Sequence, residues 1–194
     1  MADAPDEQHP FLIYLLGSPG VGKYTVASEI AAATGAVVVD NQLINHPVMA
    51  LFAWDGVSIL PREIWQPIAT IRGSVLTAMA DLAPRSISYV LTNALEDDAE
   101  GAALFHRIRD VAASRDAVFL PVLLTCDLVE QSRRVTSPDR RRRLKISDPS
   151  QFRDYMASTR MYIPTDPRLL MLDNTDLSAR QAAGEILRHV RGAG

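Results

Sequence analysis

Apolar residues in this chain come in short continuous runs separated by longer amphipathic stretches. The runs are "FLIYLL" (11–16), "AVVVD" (36–40), "SISYVLTNA" (86–94), "AVFLPVLLTCD" (117–127) and "RLLMLDN" (168–174). Uniformly apolar segments of this length predict strands buried on both faces. The stretches between them read as helices. "KYTVASEIAAATG" (23–35) is alanine-rich and stops at Gly35. Residues 61–83 place Ile64, Ile68, Ile71, Val75, Met79 and Leu82 three or four apart, which is one face of a helix, with Pro67 in its first turns or at a kink. Residues 97–114 carry acid early and base late, as the helix dipole favours. Helices are also predicted over 128–135, over 150–162 (started by Ser150 or Asp148) and over 176–190, and residues 43–82 offer no strand. Strands alternating with helices predict a parallel sheet with helices on both faces. Such sheets bind ligands beyond the carboxyl ends of their strands.

The first strand runs into "GSPGVGKYT". A strand that turns through glycines into a helix aims backbone N–H groups and the positive end of the helix dipole at one point, which suits phosphate. Gly17, Ser18, Pro19, Gly20, Val21, Gly22 and Lys23 match the phosphate-loop pattern G-x-x-x-x-G-K-[ST], with Lys23 reaching the β- and γ-phosphates. The pattern then asks for a short hydroxyl to hold Mg²⁺, and this chain has Tyr24. A phenol oxygen lies far from its own backbone. Thr25 is one residue on, about 100° around the helix, and is better placed for an α-phosphate than for the metal. Mg²⁺ keeps several waters and needs few protein ligands, so Asp40 acting through water is the compensating candidate, with Thr25 beside it. A site that binds nucleotide without catalysis is the alternative.

Asp40 ends the second strand. There a carboxylate can take the proton of a hydroxyl nucleophile or orient Mg²⁺; equally, it can cap the following helix. Asn41 reads as a cap or a polar substrate contact, and His46 as either a pocket residue or a surface turn. Seven of the 20 Lys and Arg residues lie between Arg133 and Lys145, around a polar segment. Arginines stabilise charge moving onto phosphate oxygens and stack on purines. Arg134 is the candidate for stacking and Arg140 for phosphate, with most of "RRRR" solvated. "LDNTD" (172–176) either presents backbone groups to a base or is an Asx turn before the last helix.

Composition narrows this picture. The chain has 194 residues, 47% apolar and 22% charged, which suits one domain over 11–194 after a disordered leader at 1–10. The net charge of −3 argues against a broad nucleic-acid surface. Lys23 and Lys145 are the only lysines, so Lys23 is not background from a lysine-rich chain. Cys126, the sole cysteine, reads as a strand-end core residue. The acidic start lacks the features of a signal peptide, and every apolar run falls short of the roughly 20 residues of a membrane span, so a cytoplasmic protein is expected.

Together these motifs resemble the P-loop small-molecule kinases, in particular the nucleoside monophosphate kinase, shikimate kinase and chloramphenicol phosphotransferase branch. The resemblance spans about residues 11–190 and rests on "GSPGVGKYT", the acidic strand end "VVVD", "LLTCDLVEQSRRV" and "LLMLDNTDLSARQAAGEIL". "GVGKYTVA" and "RRVTSPDRRRRLKISDP" also look like small AAA-type ATPases or kinases with Tyr after the lysine. The resemblance implies a three-layer α/β P-loop NTPase fold with a five-stranded parallel sheet in order 2-3-1-4-5. It implies ATP as donor with Mg²⁺, Gly17–Thr25 on the phosphates, and Arg134 and Arg140 in an arginine-rich lid over 133–149. It places Asp173, Asn174 and Thr175 near the adenine, and Asp40 where the phosphotransferases carry a catalytic acid. Residues 41–83 should form the acceptor pocket, their tryptophans suggesting a small, partly apolar molecule. The chain departs from the family at Tyr24 and at the third strand end, where Thr92 or Asn93 replaces the usual acid. The expected function is an ATP-dependent kinase of a small hydroxylated molecule. The alternatives are a nucleotide-binding regulatory ATPase with no acceptor and a polynucleotide 5′-kinase.

Overall fold

All six residues of the first apolar run are buried, because the strand they form lies in the middle of a sheet covered on both faces. The computed structural model describes residues 9–54, 58, 60–137, 145–146 and 148–192. Its strands are β1 (Phe11–Leu16), β2 (Val37–Asp40), β3 (Tyr89–Asn93), β4 (Val118–Thr125) and β5 (Leu170–Asp173), one for each predicted run. All pair in parallel, in the order β2-β3-β1-β4-β5. The helices are α1 (Lys23–Thr34), α2 (Asn41–Met49), α3 (Trp65–Thr77), α4 (Ala99–Ser114), α5 (Leu128–Val135), α6 (Pro149–Ser158) and α7 (Ala179–Arg191). The two-residue period of β1 divides the core. Leu12, Tyr14 and Leu16 pack with Ile44 of α2, Ile68 and Leu76 of α3 and Phe105 of α4, while Ile13 and Leu15 pack with Ile30 of α1 and Ile186 of α7. This three-layer α/β arrangement is the expected one.

Several local expectations change. The helix predicted over 61–83 is a 3₁₀ turn (Arg62–Ile64), α3, and a closing π turn (Ala78–Leu82). Pro67 falls in the first turn of α3, where its missing N–H costs nothing. Ile64, Ile68 and Met79 are buried as the stripe requires, but Leu82 is 80% exposed. The wider step of the π turn carries it off the stripe. The helix predicted to reach 162 ends at Ser158, and Met161 instead pairs with Glu96 in an antiparallel bridge. Its cap is Asp148, which accepts from the amides of Ser150 at 2.8 Å and Gln151 at 3.0 Å. Of the expected leader, residues 1–8 lie outside the described residues. So do 138–144 and 147 of the arginine-rich segment, and with them Arg140. No helix among the described residues is long and apolar enough to cross a membrane.

One buried cation holds the helical layer to the sheet. Arg115, 1% exposed, donates to the carbonyls of Met79, Ala83, Pro84 and Ile87 and lies 4.9 Å from the Tyr89 ring centroid. It therefore gathers the chain between α3 and β3 into one knot. Arg115→Met removes the partner of several buried carbonyls at once and should cost about 3 kcal/mol of stability in a urea unfolding curve. A loss below about 0.5 kcal/mol would mean that those carbonyls find water instead.

Candidate active site

The loop after β1 occupies the place where the sheet's connections diverge, since β1 lies between β3 and β4. Two glycines let it fit there. Gly17 has φ +138°, and a Cβ on it would stand 2.4 Å from the Leu124 carbonyl oxygen. Gly20 has φ +94°, and its Cβ would meet Gln131 and Val135 of α5 at 2.9 Å. Only a residue without a side chain satisfies both the dihedral and the space. α1 then begins at Lys23 with no side-chain cap and no acid in its first turn. Its first amides are thus left for a ligand, and the dipole favours an anion. Lys23 Nζ donates to the carbonyls of Gly17 at 2.6 Å and Ser18 at 2.9 Å, so the ammonium lies over the loop.

α5 braces the loop from behind. Gln131 Nε2 donates to Ser18 Oγ at 2.5 Å and to the Pro19 carbonyl at 2.6 Å. One turn on, Arg134 Nε pairs with Glu130 at 2.8 Å, while its two terminal nitrogens donate to Asn174 Oδ1 at 3.1 Å and to the carbonyls of Asn174 at 3.1 Å and Thr175 at 3.2 Å. Hydrogen bonds from Arg133 and Arg134 hold the Glu130 carboxyl down to about 2, so it is a full anion near neutrality. Arg134 lines the cavity, and its edge donors are committed to this bracket, which leaves the flat faces of the guanidinium for stacking.

The turn after β5 packs against Arg134. Asp173, Asn174 and Thr175 do not line the cavity; they stand behind Arg134. Asp173 Oδ1 accepts from the Thr175 amide at 2.8 Å and hydroxyl at 2.6 Å, an Asx turn. The buried Asn174 reaches the loop instead, its Nδ2 donating to the Val21 carbonyl at 2.7 Å. Asn174→Ala removes the short bond to that carbonyl and the side-chain acceptor of Arg134, leaving only the longer bond of 3.4 Å from Arg134 to the Val21 carbonyl. The expected cost is about 2 kcal/mol in chemical unfolding, with weaker nucleotide binding. Unchanged unfolding would show the Val21–Asn174 tie to be dispensable.

Across the loop, Asp40 closes the cavity. It occupies the N-cap position of α2, yet its side chain makes no capping bond. It turns to β3 and to the far wall. Thr92, its register partner on β3, donates from Oγ1 to Asp40 Oδ1 at 2.5 Å and accepts from the Asn41 amide at 3.3 Å. Lys145 Nζ pairs with Asp40 Oδ2 at 3.0 Å and lies 5.0 Å from the Tyr24 ring centroid. Asp40 is 8% exposed. The cavity of about 730 Å³ brings Lys23, Tyr24, Thr25, Asp40, Arg134 and Lys145 together at the carboxyl ends of β1, β2 and β3.

A polar layer that the sequence reading missed lies under Asn41. Arg72 of α3 donates to Asn41 Oδ1 at 2.9 Å and Asn45 Oδ1 at 3.2 Å. Burial lowers the pKa of its guanidinium, with the nearby Tyr14 acting the other way. Tyr14, fully buried in β1, accepts from Asn93 Nδ2 at 2.9 Å, and burial lifts its phenol far above the ordinary range. The signal for Arg72 was available: it lies four residues from both Ile68 and Leu76, hence on the buried stripe. Gln131, Arg134 and Val135 likewise share one face of α5 by their spacing. Asn174 and Lys145 carried no such periodic signal. Neither tryptophan lines the cavity. Trp65 is half exposed, and Trp54 Nε1 donates to the Ser58 carbonyl at 2.6 Å. Asn41, Gln42, Thr92 and Asn93 give the cavity a polar wall. His46 is exposed on α2, and Cys126 is half-buried at the end of β4 with its thiol pKa raised by burial.

No protein-family model matches the chain, and no curated protein matches it in sequence. Solved structures do match it. Gluconokinase from Sinorhizobium meliloti 1021 superposes with a TM-score of 0.61 at 16% identity, covering 96% of this chain and 95% of its own. APS kinase from Mycobacterium tuberculosis, in complex with AMPPNP and APS, gives 0.59 at 18% identity, over 94% and 98%. Shikimate kinase from Acinetobacter baumannii, in complex with shikimate, gives 0.56 at 21% identity, over 95% of each chain. The structural neighbours are therefore small-molecule kinases of the P-loop type, and this chain has their fold.

Proposed function

We propose that the chain is an ATP-dependent phosphotransferase that moves the γ-phosphoryl group to a hydroxyl of a small polar molecule. The observation that carries this reading is the juxtaposition of a buried carboxylate, Asp40, and the phosphate loop in one cavity. Its volume of about 730 Å³ lies within the range of small-molecule sites. Gly17–Gly22 and the first amides of α1 take the triphosphate, with Lys23 on its β- and γ-oxygens. Thr25 serves the α-phosphate, and a face of Arg134 the base. Asp40 accepts the acceptor's hydroxyl proton as that oxygen bonds to the γ-phosphorus. The bond from phosphorus to the β,γ-bridging oxygen breaks, and ADP leaves. Arg140, outside the described residues, is assigned to the transferred charge by its place in the sequence. Asn41, Gln42 and Asn93 offer polar contacts to the acceptor.

Mg²⁺ fits this site less well than ATP does. Position 24 carries a phenol, β3 ends in Thr92 and Asn93, and both Asp40 oxygens are already bonded. Among the described residues, no group of three or more His, Cys, Asp or Glu could hold a metal ion. No step of the proposed transfer therefore runs through a protein-held metal. The same pairing of Asp40 favours a second reading, a nucleotide-binding module without an acceptor.

The test is ATP consumption by the purified protein with pooled hydroxylated metabolites and antibiotics, with and without Mg²⁺ or Mn²⁺. The proposed function predicts turnover that depends on one pool. Tight ATP binding with no pool-dependent turnover supports the second reading.

A further inference from the structure

The phenol at position 24 and the carboxylate that ends β2 meet on one cation. Tyr24 stands where the metal-binding hydroxyl would be, and its ring lies 5.0 Å from Lys145 Nζ. Asp40, the one carboxylate among the described lining residues, pairs with the same ammonium at 3.0 Å. An ammonium between a carboxylate and an aromatic face is held by both, and a partly buried setting strengthens each attraction. Lys145 keeps only 18% of its side-chain surface, and Asp40 11%. A divalent ion could reach Asp40 only by displacing the lysine, and position 24 would give it no second ligand. The chain holds two lysines in all, and both lie in this cavity.

We propose that Lys145 is the resident cation of this cavity, taking the place of a protein-held divalent ion at Asp40, so that a nucleoside triphosphate binds the loop with little dependence on divalent metal. The proposal rests on the nucleotide-binding part of the function proposed above. Its physical content is a charge balance. With Lys145 present, an incoming polyphosphate meets a neutral Asp40–Lys145 pair and the positive Lys23. With Lys145 removed, the same anion faces a bare buried carboxylate, an arrangement that repels it until another cation covers the carboxylate. Lys145 thus acts through Asp40 as a positioning residue, and Tyr24 shapes its seat.

The test is calorimetric titration with ATP in EDTA and in excess Mg²⁺, for the wild type, Lys145→Met, Lys145→Arg and the double variant Lys145→Met/Asp40→Asn. Wild-type Kd values in the two buffers should agree within about threefold. Lys145→Met should weaken binding in EDTA by about tenfold or more and regain it with Mg²⁺, which can now reach Asp40. Lys145→Arg should keep the metal-free affinity. The double variant should recover it, because the unpaired negative charge is gone. A lysine that merely stabilised the fold would show neither the Mg²⁺ rescue nor the recovery in the double variant. Wild-type binding that weakens tenfold or more in EDTA overturns the proposal and leaves the nucleotide reading standing. Lys145→Met with unchanged metal-free affinity also overturns it. Failure of the wild type to bind ATP in either buffer overturns both.

Discussion

Asp40→Asn should lower phosphoryl transfer by about a thousandfold while ATP still binds. Positioned general bases contribute about 10²–10⁴-fold, and an amide cannot take a proton from a hydroxyl. The replacement has nearly the same shape, and its carbonyl oxygen can still accept the Thr92 hydroxyl that now bonds Asp40 Oδ1 at 2.5 Å. The β2–β3 junction should therefore survive, and thermal unfolding should shift little. Removing a negative charge beside the loop should hold or improve metal-free ATP affinity. The rate separates a base from a structural tie, because Asn preserves the tie to Thr92 and removes only the base. Transfer within about tenfold of wild type would leave Asp40 as a link between strands.

The second large effect is expected at Lys23. Lys23→Met keeps the length and apolar stem of the side chain and removes the charge. ATP affinity should fall by roughly 10- to 100-fold, the range of a charge-assisted hydrogen bond. The fold should tolerate the change, since the ammonium's loop contacts at 2.6 and 2.9 Å are only part-buried and those carbonyls can take water. Calorimetric titration with ATP alongside a melting curve checks both halves. An unchanged Kd in a folded protein would mean that the loop does not grip the phosphates through this residue.

The fold was legible because its signals are periodic or local. Five continuous apolar runs become five parallel strands, and the β1 run is buried throughout. The glycines of the loop announce a backbone that no Cβ can share, as the Leu124 carbonyl beside Gly17 shows. Helix ends were less legible. The π turn at Ala78–Leu82 changes the angular step within one apolar stripe, and no spacing rule foresees where a helix takes that turn. The parallel sheet brings the residues adjacent to its strand ends to one edge, where they line a single cavity. Asp40, Lys23 and Tyr24 belong to this group.

What escaped the sequence are contacts across long separations that follow no period. Asn174 is 153 positions from Val21, whose carbonyl it holds. From the sequence, the turn that carries it reads as either base-facing or an Asx turn, and its tie to the loop follows from no spacing. The pairing of Lys145 with Asp40 is a similar case. In the sequence Lys145 is one member of a basic run in which Arg134 and Arg140 stand out and most of "RRRR" reads as solvated. The structure places it against Asp40 and Tyr24. The tryptophans, which suggested a partly apolar acceptor, are placed by the fold with Trp54 against the core and Trp65 half exposed.

The most direct test follows the γ-phosphoryl group itself. ATP labelled at the γ-position is incubated with the protein and the pooled hydroxylated molecules, and the products are separated into inorganic and organic phosphate. The proposed transfer predicts label in an organic phosphate with the wild type, and its loss with Asp40→Asn while ATP remains bound. Label found only in inorganic phosphate, or none released from bound ATP with any pool, would contradict it.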